Sequence, residues 1–205
     1  MSGPARITAI VGTYRKGGMI DSLVDELLGA ARETGAEVTK IQLLDKHIEF
    51  CTNCRTCTQQ EGPRRGECRL VDDMRAILDE IERSDAIVLA SPMNFWTATA
   101  VIQRFIERLV CYAYWPWGAH APKARSREKR KRAVVVGSSA APALMSRLLT
   151  PMVGQLKKVA RLLGAGKVDV LFVGLAAGQQ RPDPGRRARA KARRLGRKLA
   201  FRRAL

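Results

Sequence analysis

Histidine is nearly absent from this chain: His47 and His120 are the only two in 205 residues. Neither sits in a recognisable triad or metal pattern, so each reads as a structural or surface residue, and acid–base catalysis at an imidazole has no candidate. Long apolar runs are also missing; no stretch approaches the roughly 18 residues that suggest a membrane span. The opening Met-Ser-Gly-Pro-Ala-Arg runs straight into a strand-like segment, with no separate apolar region or cleavage site. No signal peptide is therefore expected. The Gly-x-Gly-x-x-Gly dinucleotide fingerprint and the Walker P-loop are absent, as are internal repeats and any second domain. Acids are scarce, 19 against 37 Lys and Arg. Four of the five cysteines cluster, which argues for a reducing, cytoplasmic setting and against a disulfide scaffold.

The resulting charge of +18 is localised. Positions 123–132 hold seven basic residues and one acid, and positions 181–205 hold eleven and one. The rest of the chain is nearly neutral. Such runs are most simply arginine-rich solvated faces, although a basic appendage can also dock an anionic partner. The basic C-terminal helix lacks interleaved aromatics, so nucleic acid is not an expected ligand.

Hydrophobic periodicity gives a regular β-α alternation. Strands are expected at Ile7–Val11, Glu37–Leu44, Asp85–Ala90 (broken by Ser91-Pro92), Ala133–Val136 and Val168–Val173. Helices are expected from Ile20 to Gly35, from Asp72 past Ile81, from Thr97 to Val110 and, in one piece, from after Ser139 through Leu163. A last helix carries Ala188, Ala192, Leu195 and Leu199 on one side. Asp72 and Asp73 suit the positive end of the second helix. The stretch 112–132 reads as an insertion, first aromatic and then basic. Five strands with long connections predict a parallel sheet with helices on both faces, and ligands at the carboxyl ends of its strands. A domain over 1–178 and a basic helix over 179–205 belonging to it are expected.

Three loops and one cysteine run carry the chemistry. Gly12-Thr13-Tyr14-Arg15-Lys16-Gly17-Gly18 joins a strand to a helix N-terminus and offers N–H groups, a dipole and the Arg15 fork to a phosphate, with Thr13 and Ser22 as hydroxyl donors. Ser91-Pro92-Met93-Asn94-Phe95-Trp96-Thr97 mixes backbone polar groups with large rings, as a planar heteroaromatic ligand requires. Gly137-Ser138-Ser139-Ala140 is small and polar, allowing close approach to the backbone. Cys51-x2-Cys54-x2-Cys57 folds three thiolates around one point, as an iron–sulfur cluster requires, and Cys68 is the candidate fourth ligand. Zinc usually takes two separated pairs, and no second pair exists. Packing, oxidation and zinc remain open for these four residues. Cys111 reads as a small buried hydrophobe.

The linked order Gly12 to Gly18, Cys51-x2-Cys54-x2-Cys57 and Cys68-x3-Asp72-Asp73-Met74, Ser91 to Trp96 and Phe105-Ile106-Glu107-Arg108 resembles the flavodoxin-like NAD(P)H-dependent FMN reductases, most of all their iron–sulfur flavoprotein branch. The resemblance covers most of positions 6–175. It implies a flavodoxin-like three-layer α/β sandwich with a five-stranded parallel sheet in the order 2-1-3-4-5. It also implies non-covalent FMN, NADH or NADPH as electron donor, a 4Fe-4S cluster, and a homodimer or tetramer with FMN near the subunit interface. By position, Thr13, Arg15, Lys16 and Gly18 would cradle the phosphate, with Ser22 assisting. Pro92, Met93, Asn94, Phe95 and Trp96 would line the isoalloxazine, and Ser138 and Ser139 would flank it.

The chain departs from the family at Met19 and Ile20, where Asn and Thr or Ser are common, and at Asn94, often a tyrosine. The ten residues between Cys57 and Cys68 are also more than the branch usually has. The implied activity is electron transfer from the nicotinamide through the flavin to a small-molecule or protein acceptor: a quinone, flavin, nitro or metal compound, or an Fe–S centre. No side chain is needed as catalyst, because the cofactor carries the chemistry. Trp115 and Trp117 are expected to cover a partner subunit's flavin, and the cations of 123–132 to favour NADPH through its 2′-phosphate. The rival expectation is a non-catalytic electron-transfer or redox-sensing protein whose basic helix docks an acidic partner.

Overall fold

The computed structural model describes residues 3–126, 128–177 and 183–201. Arg127, residues 178–182, where the expected domain ends and the expected basic helix begins, and the last four residues of the basic C-terminal segment lie outside them. Five parallel strands build the central sheet: β1 (Arg6–Val11), β2 (Glu37–Gln42), β3 (Ala86–Asn94), β7 (Lys131–Ser138) and β8 (Ala165–Val173). Their spatial order is β2-β1-β3-β7-β8, which in chain order is the expected 2-1-3-4-5. The short β4 (Thr97–Ala98) folds back on β3, and β5 (Ala113–Tyr114) pairs β6 (Lys123–Ala124) within the insertion.

Unbroken apolar strands bury both sheet faces. Along β3, Ile87 and Leu89 enter one core while Ala86, Val88 and Ala90 enter the other. Ala133 and Val135 of β7 alternate with Val134 and Val136 in the same way. The first core is closed by α2 (Met74–Arg83), α3 (Ala100–Glu107) and α5 (Met152–Leu162), and the second by α1 (Met19–Glu33) and α6 (Gly185–Ala200). The result is three layers, helix–sheet–helix. Among the described residues no helix is long and apolar enough to cross a membrane.

The structure corrects several element boundaries. Ser91-Pro92 does not break β3, which continues to Asn94 with Pro92 opposite Ser138 of β7. β1 has ended opposite Ala90, so a residue lacking an N–H there forfeits a ladder bond on at most one side. Thr97 lies in β4 instead of opening α3. The fourth helix is two, α4 (Ala143–Leu149) and α5, because Thr150 before Pro151 is driven extended (φ −126°, ψ 147°). Lys131 and Arg132, read as the end of the insertion, are the first residues of β7.

The basic final helix is held closely on α1. Ala192, Leu195 and Leu199 are buried in the second core. Arg189 pairs with Glu26 at 2.9 Å, and Arg193 with Glu33 at 2.7 Å. At Gly196 an added Cβ would collide with the Leu27 carbonyl, a backbone atom that cannot yield locally. Gly196→Ala is therefore expected to destabilise by about 1–3 kcal/mol through overpacking, despite the roughly 1 kcal/mol that alanine gains over glycine in a helix. Thermal unfolding checks this; a raised Tm would mean that the two helices are not in backbone contact.

Candidate functional site

The carboxyl ends of β1, β3 and β7 lie side by side, since Val11 pairs with Ala90 and Pro92 with Ser138. The three expected loops leave from these ends and so meet along one edge of the sheet. Gly12 donates its N–H to the Ala90 carbonyl (2.8 Å), and Thr99 donates its hydroxyl to the Gly12 carbonyl (2.6 Å). These bonds tie the first loop to the second.

The first loop turns at Gly17 (φ +70°), and α1 starts behind Gly18, which has no side-chain cap. Uncapped first-turn N–H groups of a helix attract an anion. Thr13 is buried, with its hydroxyl oxygen accepting the Arg15 N–H at 3.2 Å. Arg15 and Lys16 are exposed, and Lys16 pairs with Asp45 at 2.7 Å. The Ser22 hydroxyl donates to the Gly17 carbonyl at 3.3 Å. Met19 and Ile20 are buried in the second core, so apolar packing occupies the two positions where the family often has polar residues.

Sequence reading missed what lies under this loop. Asp21, almost fully buried, accepts the Gly17 N–H at 2.6 Å and is paired with Lys40 at 2.7 Å; it also binds the Gln42 amide. Burial pushes its carboxyl upward, but the Gly17 N–H, Lys40 and Gln42 together outweigh that and hold it below the usual range. Lys40 and Gln42 come from β2, so no local motif could have announced the cluster.

The second loop is a hairpin. Met93 pairs with Ala98 and Asn94 with Thr97, leaving Phe95 (φ +47°) and Trp96 (φ +65°) as a two-residue turn with both residues left-handed. Such turns favour Asn and Gly; bulky side chains there are strained. The two rings are also 87% and 63% exposed, with centroids 4.7 Å apart. Strain and exposed apolar area both oppose stability, so this turn is kept for something outside the fold.

In the third loop Ser138 and Ser139 are buried. The Ser139 hydroxyl donates to the Ala141 carbonyl (2.8 Å) and accepts from Ser146 (2.8 Å), so its polar capacity is used within its own loop.

The four cysteines of the run line one small cavity of about 20 Å³ together with Arg55, Arg69 and Arg108. All four are free thiols. Asn53 (φ +52°) and Arg55 (φ +58°) are left-handed and curl the chain. Among the described residues no group of three or more His, Cys, Asp or Glu side chains stands, as placed, in an arrangement that would hold a metal ion. A single zinc ion, with sulfur ligands about 2.3 Å from one centre, would need them drawn closer. An iron–sulfur cluster instead spreads its thiolates over several irons. The donor set suits a cluster, while the small cavity requires the loop to widen around one. The Thr56 hydroxyl and N–H, with the Thr52 hydroxyl, lower the Cys54 thiol to about 7; burial, then the neighbouring thiols, push Cys57 up to about 11. Burial pushes Cys111 to about 12, as expected for a small hydrophobe.

The long gap before Cys68 is folded down by arginines. Arg125 donates to the carbonyls of Cys111 and Ala113 (both 3.1 Å), Gly62 (3.3 Å) and Cys57 (3.0 Å). Arg65 pairs with Asp79 and with Glu82 (2.6 Å). Gly66 gives its N–H to the Cys111 carbonyl at 2.8 Å, and a Cβ there would collide with the Cys57 carbonyl.

The aromatic insertion packs on the same segment. The Arg55 guanidinium lies 3.9 Å from the Trp115 ring centroid and 4.3 Å from that of Trp117. The two tryptophans expected over a partner's flavin thus clasp the cysteine loop of their own chain. Two of the cations expected to select NADPH, Lys131 and Arg132, lie elsewhere. Lys131 binds the carbonyls of Ile81, Glu82 and Ser84, and Arg132 those of Lys198 and Phe201. They stand at the start of β7, on the order of 20 Å along the strand from the ligand edge.

Beneath the cysteines lies a buried ion pair that sequence reading took apart, assigning Asp72 to a helix dipole. The Asp72 and Arg108 side chains are 0% and 2% exposed. Asp72 accepts N–H groups from Glu49 (2.8 Å) and Met74 (3.0 Å) as well as the Arg108 guanidinium. Arg108 also donates to the Glu49 carbonyl at 2.8 Å and to Cys68 Sγ at 3.5 Å. Burial alone would raise the Asp72 pKa, but Arg108 and the two N–H groups hold it below the usual 3.8.

Asp72→Asn leaves Arg108 buried without its counter-ion and is expected to cost about 3–5 kcal/mol. Because the folded pKa lies below the unfolded one, the stabilisation is fully present above the ordinary carboxylate value. It is lost as pH falls through the lower folded value. Denaturant unfolding of both proteins across acid pH should show this limb in the wild type and not in the variant.

A family model described as NADPH-dependent FMN reductase matches residues 5–169. Among curated proteins, an iron-sulfur flavoprotein of Archaeoglobus fulgidus is 35% identical over 111 residues, which are 54% of this chain and 48% of that protein. One from Methanocaldococcus jannaschii is 32% identical over 103 residues, 50% of this chain and 51% of that protein. The chain thus spans about half the length of the curated relatives it matches. Among solved structures, the NAD(P)H:quinone oxidoreductase of Methanothermobacter marburgensis aligns over 96% of this chain and 100% of its own with a TM-score of 0.73 and 16% identity. A flavone reductase aligns over 95% of this chain and 62% of its own with a TM-score of 0.63 and 23% identity. At these identities the structural likeness shows a shared fold.

Proposed function

Because the chain belongs to the NADPH-dependent FMN reductase family, we propose that it is an NAD(P)H-dependent flavin oxidoreductase that delivers electrons to a small-molecule or protein acceptor such as a quinone. The observation that carries this reading is the strained turn at Phe95 and Trp96, which presents two exposed rings at the end of β3, the neighbour of the strand β1 that leads to an uncapped helix N-terminus. One end suits a planar ring system and the other a phosphate, which is the shape of a flavin nucleotide. When bound, FMN supplies the hydride and electron chemistry.

This chain's residues hold and orient the nucleotide. The N–H groups behind Gly18, the hydroxyls of Thr13 and Ser22, and the charges of Arg15 and Lys16 take the phosphate. Pro92, Met93 and Asn94 would line the ring, and the exposed Phe95 and Trp96 would shield it from water. The third loop contributes backbone, with Ser138 beside it. Asp21 sets the shape of the phosphate loop through Gly17, and Lys40 keeps its charge from repelling the anion.

The reading extends to a 4Fe-4S cluster on Cys51, Cys54, Cys57 and Cys68. Its supports are the common cavity of the four sulfurs, the stapled loop that returns Cys68 to it, and two relatives named iron-sulfur flavoproteins. The exposed apolar face of α4, with Leu144, Met145, Leu148 and Leu149, supports a homo-oligomer.

Protein purified without oxygen should show the two-banded absorption of a flavin and contain iron and sulfide in a 1:1 ratio, about four of each per chain. With FMN bound it should oxidise NADH or NADPH when a quinone is added. A colourless chain that FMN does not reconstitute would overturn the oxidoreductase reading; flavin without iron would overturn only the cluster.

Phe95→Gly and Trp96→Gly separate a binding role from a structural one. Glycine relieves the left-handed strain, so thermal stability should hold or rise. FMN affinity should fall about tenfold or more, since stacking on an aromatic side chain contributes about 1–3 kcal/mol per ring. Titration with FMN and thermal unfolding of each variant measure both.

A further inference from the structure

The buried Asp72–Arg108 pair is oriented. Its anionic end faces the N–H groups of Glu49 and Met74, and its cationic end reaches Cys68 Sγ at 3.5 Å. The guanidinium is almost fully buried, so water screens its charge little. The rest of its fork is committed to Asp72 and to the Glu49 carbonyl, which fixes its position. The residues proposed to hold the flavin do not include this pair, and the remaining N–H contact of Arg108 is with a cysteine sulfur.

We propose that Arg108, aimed by Asp72, is a positioning residue that sets the redox poise of the cysteine site by placing a fixed positive charge and an N–H donor on the Cys68 sulfur. The inference rests on reading the four cysteines as cluster ligands. Four thiolates and a cluster carry net negative charge. Reduction adds one electron, supplied by dithionite in the test, and one further negative charge, with no proton or ligand exchanged. A cation against one ligand sulfur stabilises the reduced form more than the oxidised form and raises the potential, as hydrogen bonds to cluster sulfurs do.

The same pair also grips both ends of the segment. Glu49, two residues before Cys51, is held through its N–H by Asp72 and through its carbonyl by Arg108, while Asp72 itself follows Cys68 by four residues. One interaction therefore closes the cysteine loop and supplies its field.

The test is an anaerobic dithionite titration, with iron analysis, of the wild type, Arg108→Lys, Arg108→Gln and the double variant Asp72→Asn/Arg108→Gln. The double variant is included because Arg108→Gln alone strands a buried carboxylate. At a fixed potential, the ratio of reduced to oxidised cluster should fall about tenfold or more in iron-loaded Arg108→Gln or the double variant. Arg108→Lys, which keeps the charge without the planar fork, should restore most of it. An unchanged ratio in an iron-loaded charge-free variant overturns the proposal and leaves the cluster standing. A wild type that takes up no iron after reconstitution with iron and sulfide overturns both.

Discussion

A carboxylate and a guanidinium with almost no exposure are expensive to bury, and this chain buries one such pair under its cysteine segment. The desolvation cost is offset by completeness. The Asp72 oxygens accept from two backbone N–H groups and Arg108, and the Arg108 fork is shared among a carboxylate, a carbonyl and a sulfur. A hydrophobic pair could fill the volume at less cost, but it could not grip the backbone of Glu49 on both sides. The cysteine segment has little regular structure of its own, one short 3-10 turn over Thr56–Thr58. Its shape comes from contacts with the rest of the chain: Arg108 and Arg125 reach into it from outside, and its own Arg65 reaches out to Asp79 and Glu82 of α2. Arginine suits this work because its planar fork satisfies several acceptors at once.

The other half of the ligand edge is built on the opposite principle. Here the sheet is rigid, and its strand ends carry loops that do not minimise their own energy. Phe95 and Trp96 stand left-handed and exposed. A helix N-terminus is left uncapped, and a buried aspartate takes a loop N–H. Such local costs are tolerable because β1, β3 and β7 are packed on both faces and the loops add few further degrees of freedom.

How far these features can be read from sequence depends on how far apart their causes lie. The β-α alternation and the helices on both sheet faces were accessible because each apolar run reports its own burial, as in Ala133 to Val136, whereas the strand order followed only from the family resemblance. The phosphate loop, the aromatic hairpin and the cysteine run were accessible because their residues are contiguous. Boundary errors arose where a neighbour decided the outcome. Pro92 stays in a strand because β1 has already ended, and Lys131 enters β7 because its charge caps α2 instead of facing water. The Asp21–Lys40–Gln42 cluster and the Asp72–Arg108 pair were invisible for the same reason, since each joins positions 19 or more residues apart that no local pattern links. The motif Phe105-Ile106-Glu107-Arg108 is contiguous and legible, but only the fold brings its arginine to Asp72.

The basic character of the chain reads differently once these placements are known. Part of the charge that composition assigns to the surface acts internally. Lys131 and Arg132 close helix ends, Arg125 binds four carbonyls, and Arg189 and Arg193 fasten α6 to α1. Among the described residues of α6, Arg186, Arg187, Arg194 and Arg197 are exposed and remain for solvent or a partner. Net charge therefore overstates the case for an anionic partner. It counts donors that the fold uses where the acids are too few and backbone carbonyls at helix ends and in the cysteine segment must take their place.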